Sequence, residues 1–306
     1  MALPNSSMKR RFTTLDVFTA ERFAGNPLAV VQDGEGLDAK VMQAIAREFG
    51  LPETVFVLPA ADPSHAARVR IFTPATELPF AGHPTVGCAA LLGLLSSPSQ
   101  PKALILEEQI GLVRCHVDPR GSEIAHARFE LPVLPRKMDW DANMAAVSAA
   151  LGVSPSDIDA PRFKLEKWSA GVDMFMIAVN GPAVLAAVRP DISRWEDAFG
   201  KSGPRAAYVF CPQGALPANI YRARMFAPLL GIPEDPATGA AAAAFAGVLT
   251  VHGRLGAGVN NIVIEQGHEM GRPSTIHLEM QVDRAQLVAC SIAGDAVIVT
   301  QGTLSA

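Results

Sequence analysis

The chain repeats itself, and a duplicated sequence can fold only into something two copies of one unit can build. RIFTPATELPFAGHPTVGCAALLGLL (Arg70 to Leu95) lies over RMFAPLLGIPEDPATGAAAAAFAGVL (Arg224 to Leu249) without a gap, at an offset of 154 residues (Arg70 to Arg224). Arg70/Arg224, Phe72/Phe226, Pro74/Pro228, Pro79/Pro233, Gly93/Gly247 and Leu95/Leu249 are identical pairs. The same offset sets Thr54–Leu58 over Tyr208–Pro212, and a slip of three residues sets ILEEQ (Ile105–Gln109) over IVIEQ (Ile262–Gln266). Chance matching of Ala- and Pro-rich sequence is the bland alternative. An Arg-x-Phe-x-Pro pair in register with a distant proline speaks against it.

Within a unit the order reads strand, loop, helix. Val55–Leu58 and Arg68–Phe72 are short β-branched and aromatic runs of strand type. Between Leu37 and Gly50, Val41, Ile45 and Phe49 recur every four residues behind Asp38, which predicts a capped amphipathic helix. Thr85–Leu95 and Gly239–Leu249 are apolar or small on every side, and a helix without a polar face belongs inside a core. The expected fold is therefore α+β, with two similar domains related by a pseudo-twofold axis. Each is expected to be a curved mixed sheet or barrel wrapped around one central buried helix. A chain of 306 residues suits two domains of about 100 to 200 residues each. The Pro-rich stretch Leu131–Trp140 divides them into 8–130 and 131–290, with a C-terminal strand at 291–304 completing the first.

Charged residues make up 18% of the chain and the net charge of −4 is spread without a run of either sign, which excludes a nucleic-acid or membrane-surface footprint. No apolar stretch approaches the roughly 18 to 20 residues of a membrane span. The first residues show neither an apolar leader core nor a small-residue cleavage site, so a cytoplasmic protein is expected. Cys88, Cys115, Cys211 and Cys290 are scattered without C-x-x-C spacing, as free thiols of a reducing compartment are.

The two central helices begin at matched loops, Ala81–Thr85 and Asp235–Gly239. Helix starts present bare N–H groups and partial positive charge, so Gly82, Thr238 and Gly239 are candidates for holding a substrate carboxylate. Ordinary capping is the competing reading, with Pro84 in the first turn and Asp235 or Thr238 as cap. In the gapless alignment Asp235 stands opposite Ala81, His83 opposite Ala237 and Glu53 opposite Ala207. Mismatches at matched, site-facing positions point to chemistry rather than folding. A positive helix end disfavours the cationic form of His83 and leaves a neutral imidazole, unless His83 is simply a satisfied loop residue. Glu53 taken alone reads as a surface carboxylate after a helix. Asn26, in Gly25-Asn26-Pro27 before the strand Leu28–Val31, belongs either to a turn or to the active-site cleft expected between the two domains.

Leu15–Val31, ETVFVL (Glu53–Leu58), RIFTPATELPFAGHPT (Arg70–Thr85), EDPATGAA (Glu234–Ala241) and EQGHEMGRPS (Glu265–Ser274) resemble, in order and over nearly the whole chain, the signature segments of the PhzF-like phenazine-biosynthesis isomerases. That family is similar in fold to diaminopimelate epimerase. The resemblance implies a catalytic glutamate at Glu53, a Gly-His pair at Gly82 and His83, and a catalytic aspartate at Asp235. It also implies a homodimer. The related epimerases and racemases carry thiols at the two helix starts, read here as Ala81 and Asp235, and both thiols are absent. Cys88, in the following helix, reads as a small core residue.

The leading expectation is a cofactor-independent isomerase in which Glu53 moves a proton on a small carboxylate-bearing molecule; the resemblance implies one like a dihydro-hydroxyanthranilate. An epimerase of amino or hydroxy acids with Glu53 and Asp235 as opposed bases is the second reading. A binding protein on the same scaffold is the third. No G-x-G-x-x-G after a strand, P-loop or G-x-S-x-G elbow is present, and His268, Glu269 and His277 lack metal-ligand spacing, so neither cofactor nor metal is expected.

Overall fold

The computed structural model describes residues 8–306 apart from 97–98, 160, 202, 204 and 215–217. The chain divides into two compact units, Met1–Pro132 with Ala293–Ala306, and Val133–Ile292.

In the first unit, β1 (Lys9–Val17) runs antiparallel to β2 (Asn26–Val31) on one side and to the C-terminal strand (Gln286–Ser305) on the other. Strand β3 (Glu53–Leu58) lies parallel to β2 and antiparallel to β4 (Ala67–Phe72), which carries the two-residue β5 (Glu77–Leu78). Strand β6 (Lys102–Glu108) is parallel to β4 and continues through β7 (Gly111–Pro119) into β8 (Ile124–Glu130), antiparallel at each step. Because β8 also pairs with the C-terminal strand, these strands close into a barrel. Alternation puts one face inside: Val113, Cys115 and Val117 of β7 are buried while Leu112, Arg114 and His116 are exposed.

Helix α2 (Gly82–Ser96) fills this barrel, packing on β1, β2, β3, β6, β7 and β8. Its residues are buried on all sides, as a helix with no polar face requires. Gly87 sets its depth, since a Cβ there would lie 2.5 Å from Leu28 Cδ2 and 2.7 Å from Val17 Cγ2. Helix α1 (Ala39–Phe49) packs on the outside, with Asp38 accepting the Val41 N–H at its start and Gly50 in the left-handed conformation at its end. Its packed face is Met42 and Ala46, flanked by Ile45 and Phe49, against Val31, Phe56 and Phe72. Val41 is exposed, so the stripe lies about one residue round from the expected one.

In the second unit the sheet runs β9 (Arg136–Met138), β10 (Glu166–Ser169), β11 (Asp173–Ala178), β12 (Ala206–Pro212), β13 (Ile220–Ala227), with β14 (Ile232–Asp235) and β15 (Gly258–Gln266) both on β13, then β16 (Ser274–Asp283). The β11/β12 and β13/β15 pairs are parallel. Helices α3 (Met144–Leu151), α4 (Pro182–Ala187) and α5 (Trp195–Phe199) cover one face around Trp195, Phe175, Ala207 and Val209. Helix α6 (Gly239–His252) packs on β9, β10, β11 and β16, with Phe245 amid Tyr208, Phe210 and Tyr221.

The elements assign different counterparts from the gapless alignment. Helices α2 and α6 begin at Gly82 and Gly239, an offset of 157 residues (Gly82 to Gly239). Arg70 forks onto Glu77 at 2.6 and 2.7 Å, and Arg224 onto Glu234 at 2.8 Å through both nitrogens. Each guanidinium also lies over the phenylalanine two residues on. Glu77 and Glu234 share the helices' offset, because three extra residues lie between Phe226 and Glu234. Asp235 therefore stands opposite Leu78 rather than Ala81, His83 opposite Ala240 rather than Ala237, and Ala81 opposite Thr238. Thr54 pairs with Phe72 while Ala207 pairs with Phe226, so Glu53 corresponds to Ala206 rather than Ala207. A one-residue slip exchanges the faces of a strand. Glu53, His83 and Asp235 still stand opposite residues of different type at these positions.

Candidate active site

In the first unit the parallel pair β2/β3 aligns Leu28 with Glu53, so Asn26 and Pro27 of one strand and Glu53 of the next stand at the same edge. Asn26 is fully buried at the head of β2, opposite Val17. The first turn of α2 carries Gly82 and His83 to this edge, and His83 Nε2 lies 3.3 Å from Glu53 Oε2, with their side chains 6% and 13% exposed. These two atoms make no hydrogen bond with each other, and catalytic contacts often tighten only when substrate binds.

The His83 ring also hydrogen-bonds the backbone of Pro27, which has only a carbonyl to offer. Since Nε2 makes no hydrogen bond, Nδ1–H is the donor. Burial pushes the His83 pKa down to about 3, with the Pro27 carbonyl opposing. The imidazole is thus neutral, as the sequence suggests, although desolvation rather than the helix end is the leading cause. A neutral ring with its proton on Nδ1 presents the Nε2 lone pair to Glu53.

In the second unit β14 ends at Asp235 and α6 starts at Gly239. Thr238 occupies the N-cap position, but its side chain makes no capping bond; Oγ1 donates to the Asp235 carboxylate instead. Gln266, wholly buried at the end of β15, holds this loop. Its Oε1 accepts from Thr238 N–H at 3.3 Å, and its Nε2 donates to the Asp235 carbonyl at 2.8 Å and to Thr238 Oγ1 at 3.0 Å. The chain of donors runs one way, from Gln266 through Thr238 to Asp235, and so presents Asp235 as an acceptor. Gly267 has φ +77°, and a Cβ there would come within 2.7 Å of the Pro236 carbonyl oxygen, so only glycine lets the strand pass this loop.

The first unit thus gathers Glu53, Gly82 and His83 beside the strand that Asn26 heads. The second gathers Asp235, Thr238 and Gly239. The Gly82 and His83 N–H groups in one, and those of Gly239, Ala240 and Ala241 in the other, lack intrahelical acceptors and suit an anion. Gln266 was not singled out from sequence, although its place in the matched ILEEQ and IVIEQ segments marked it. The role of the Pro27 carbonyl had no such signal. Cys88 is buried, and desolvation pushes its thiol far up, in keeping with a core residue. Among the described residues no group of three or more His, Cys, Asp or Glu side chains could hold a metal ion.

The family model of phenazine biosynthesis-like proteins, PhzC-PhzF, matches residues 15–302. The chain belongs to the PhzC-PhzF family. This PhzC-PhzF protein is 45% identical to an uncharacterized isomerase of Mesorhizobium japonicum, over 96% of its own length and 98% of that relative. It is 34% identical to the trans-2,3-dihydro-3-hydroxyanthranilate isomerase of Pseudomonas chlororaphis, again over 96% and 98%. In fold it matches the crystal structure of a PhzF family protein of Bacillus anthracis with a TM-score of 0.86, at 22% identity, over 98% of this chain and 100% of that one. The PhzC-PhzF protein described here is an isomerase.

Proposed function

We propose that this isomerase shifts a proton, without a cofactor, on a small carboxylate-bearing substrate of the dihydro-hydroxyanthranilate type, with Glu53 as the base. The contact between Glu53 and a neutral His83 carries the reading. Glu53 as carboxylate takes a proton from carbon, and the freed electron pair becomes a new double bond. The original double bond shifts, and its electrons collect the proton from Glu53 at the far carbon. Composition and oxidation state are unchanged, so no redox partner enters. His83 Nε2 accepts a hydrogen bond from Glu53 while the proton rests there.

The carboxylate of the substrate would be held by N–H groups at Gly82 and Gly239, and Asp235, oriented by Thr238, would steer the proton. The repeat in the sequence and the one-way hydrogen-bond chain to Asp235 support this assignment. Asn26 would line the same site from β2. A cytoplasmic homodimer is part of the same reading, in keeping with four buried free cysteines.

A thermal-shift screen of small carboxylates, with turnover of trans-2,3-dihydro-3-hydroxyanthranilate followed by ultraviolet absorbance, tests the substrate class. Stabilisation with turnover supports it. Stabilisation of wild type and Glu53→Gln alike, with turnover in neither, would make the protein a binder.

A further inference from the structure

The segment Glu108-Gln109-Ile110, where β6 turns into β7, grips the stretch leading into α2. Gln109 Nε2 donates to Glu77 Oε1 at 2.8 Å, and the Ile110 N–H donates to the Pro79 carbonyl at 3.2 Å. Glu108 reaches further, to Thr85, two residues beyond His83. Thr85 Oγ1 lies 2.8 Å from the Ala81 carbonyl oxygen and 2.8 Å from Glu108 Oε1.

A hydroxyl has one proton, and a carbonyl can only accept. The one hydroxyl proton serves either Ala81 or Glu108, and while it serves Ala81 the contact with Glu108 needs a protonated carboxyl as donor. Its second oxygen, Oε2, is buried with no hydrogen-bond partner among the described residues, where a negative charge would be uncompensated. The titratable groups around it are Cys88 of α2 and Cys115 of β7, both buried thiols that bring no positive charge. Burial pushes the Glu108 pKa up to about 8, with the Thr85 bond opposing.

We propose that Glu108 is a positioning residue of the Glu53–His83 site, a neutral acid that locks Thr85 and with it the turn of α2 bearing His83. Losing the proton makes the Ala81 carbonyl and the Glu108 carboxylate compete for one hydroxyl proton, and the Gly82–Thr85 turn loosens. The loop before α6 is held instead by Gln266, an amide that does not titrate. The inference rests on the acid–base reading of Glu53 and His83 only in taking that pair as the site.

The test is an NMR titration of protein labelled with ring-¹⁵N histidine, the His83 signal among the seven histidines being assigned with His83→Asn. His83 itself stays neutral across this range, so its signal moves only if a neighbour's titration reaches it. Wild type is expected to show a His83 shift with a midpoint near pH 8. In Glu108→Gln, which keeps shape and hydrogen bonds, and in Thr85→Val, which cuts the link, the signal should stay still from about pH 6.5 to about 9.5. The same midpoint in Glu108→Gln would assign the titration to Glu53 and overturn the proposal. So would a wild-type signal that never moves, or a Thr85→Val protein that behaves as wild type. No substrate is needed, so a wrong substrate class leaves this result intact.

Discussion

His83 Nε2 stands 3.3 Å from Glu53 Oε2 while the opposite ring nitrogen is held by the Pro27 carbonyl. The ring cannot turn away from Glu53 without giving up that bond, and burial keeps it uncharged.

Keeping His83 neutral has a cost in acid. Its folded pKa of about 3 lies below the ordinary 6.5, so as pH falls below 6.5 the unfolded chain binds a proton the folded one refuses. Stability should drop by about 1.4 kcal/mol per pH unit, on the order of 2 kcal/mol by pH ~5. Urea unfolding of wild type and His83→Asn at several pH values checks this. The variant should lack that share of the slope.

Glu108 works in the opposite sense. Its folded pKa of about 8 exceeds the ordinary 4.5, so the folded state keeps a proton the unfolded state has lost, and stability falls as pH rises from 4.5 to 8. Glu108→Gln should remove this decline. Its advantage over wild type in urea midpoint should therefore grow from about pH 5 to about pH 8.

Gln266→Leu should lower stability by about 1 to 3 kcal/mol, because it strands the Thr238 N–H in a buried place. Turnover should fall along with it, since Asp235 loses its orientation. Denaturant unfolding and kcat on the same samples measure both.

Gly87→Ala should cost about 1 to 3 kcal/mol through overpacking against Leu28 and Val17. A thermal melt reads this directly; an unchanged Tm would mean that α2 does not sit at the depth described.

The two all-apolar helices were legible in sequence because nothing polar interrupts Thr85–Leu95 or Gly239–Leu249, and a helix of that kind has only an interior to go to. The α1 caps Asp38 and Gly50 were legible because capping is local chemistry. The gapless register failed for a physical reason: three extra residues in the turn after Phe226 cost almost nothing at a surface, and the alanine run Ala240–Ala244 hides the shift. The donors that orient the site were the least legible. Gln266 and Thr238 come from segments far apart in the chain, and which oxygen meets which proton is decided only by how β15 passes the start of α6.

The most direct measurement concerns Glu53. With trans-2,3-dihydro-3-hydroxyanthranilate in deuterium oxide, wild type should give a product with its double bond moved and with solvent deuterium at the receiving carbon to the extent that the proton on Glu53 exchanges before it is returned. Glu53→Gln should melt like wild type yet turn over about 10² to 10⁴ times more slowly, the range of general acid–base assistance. Activity in Glu53→Gln within about tenfold of wild type, with the same deuterium incorporation, would contradict the account.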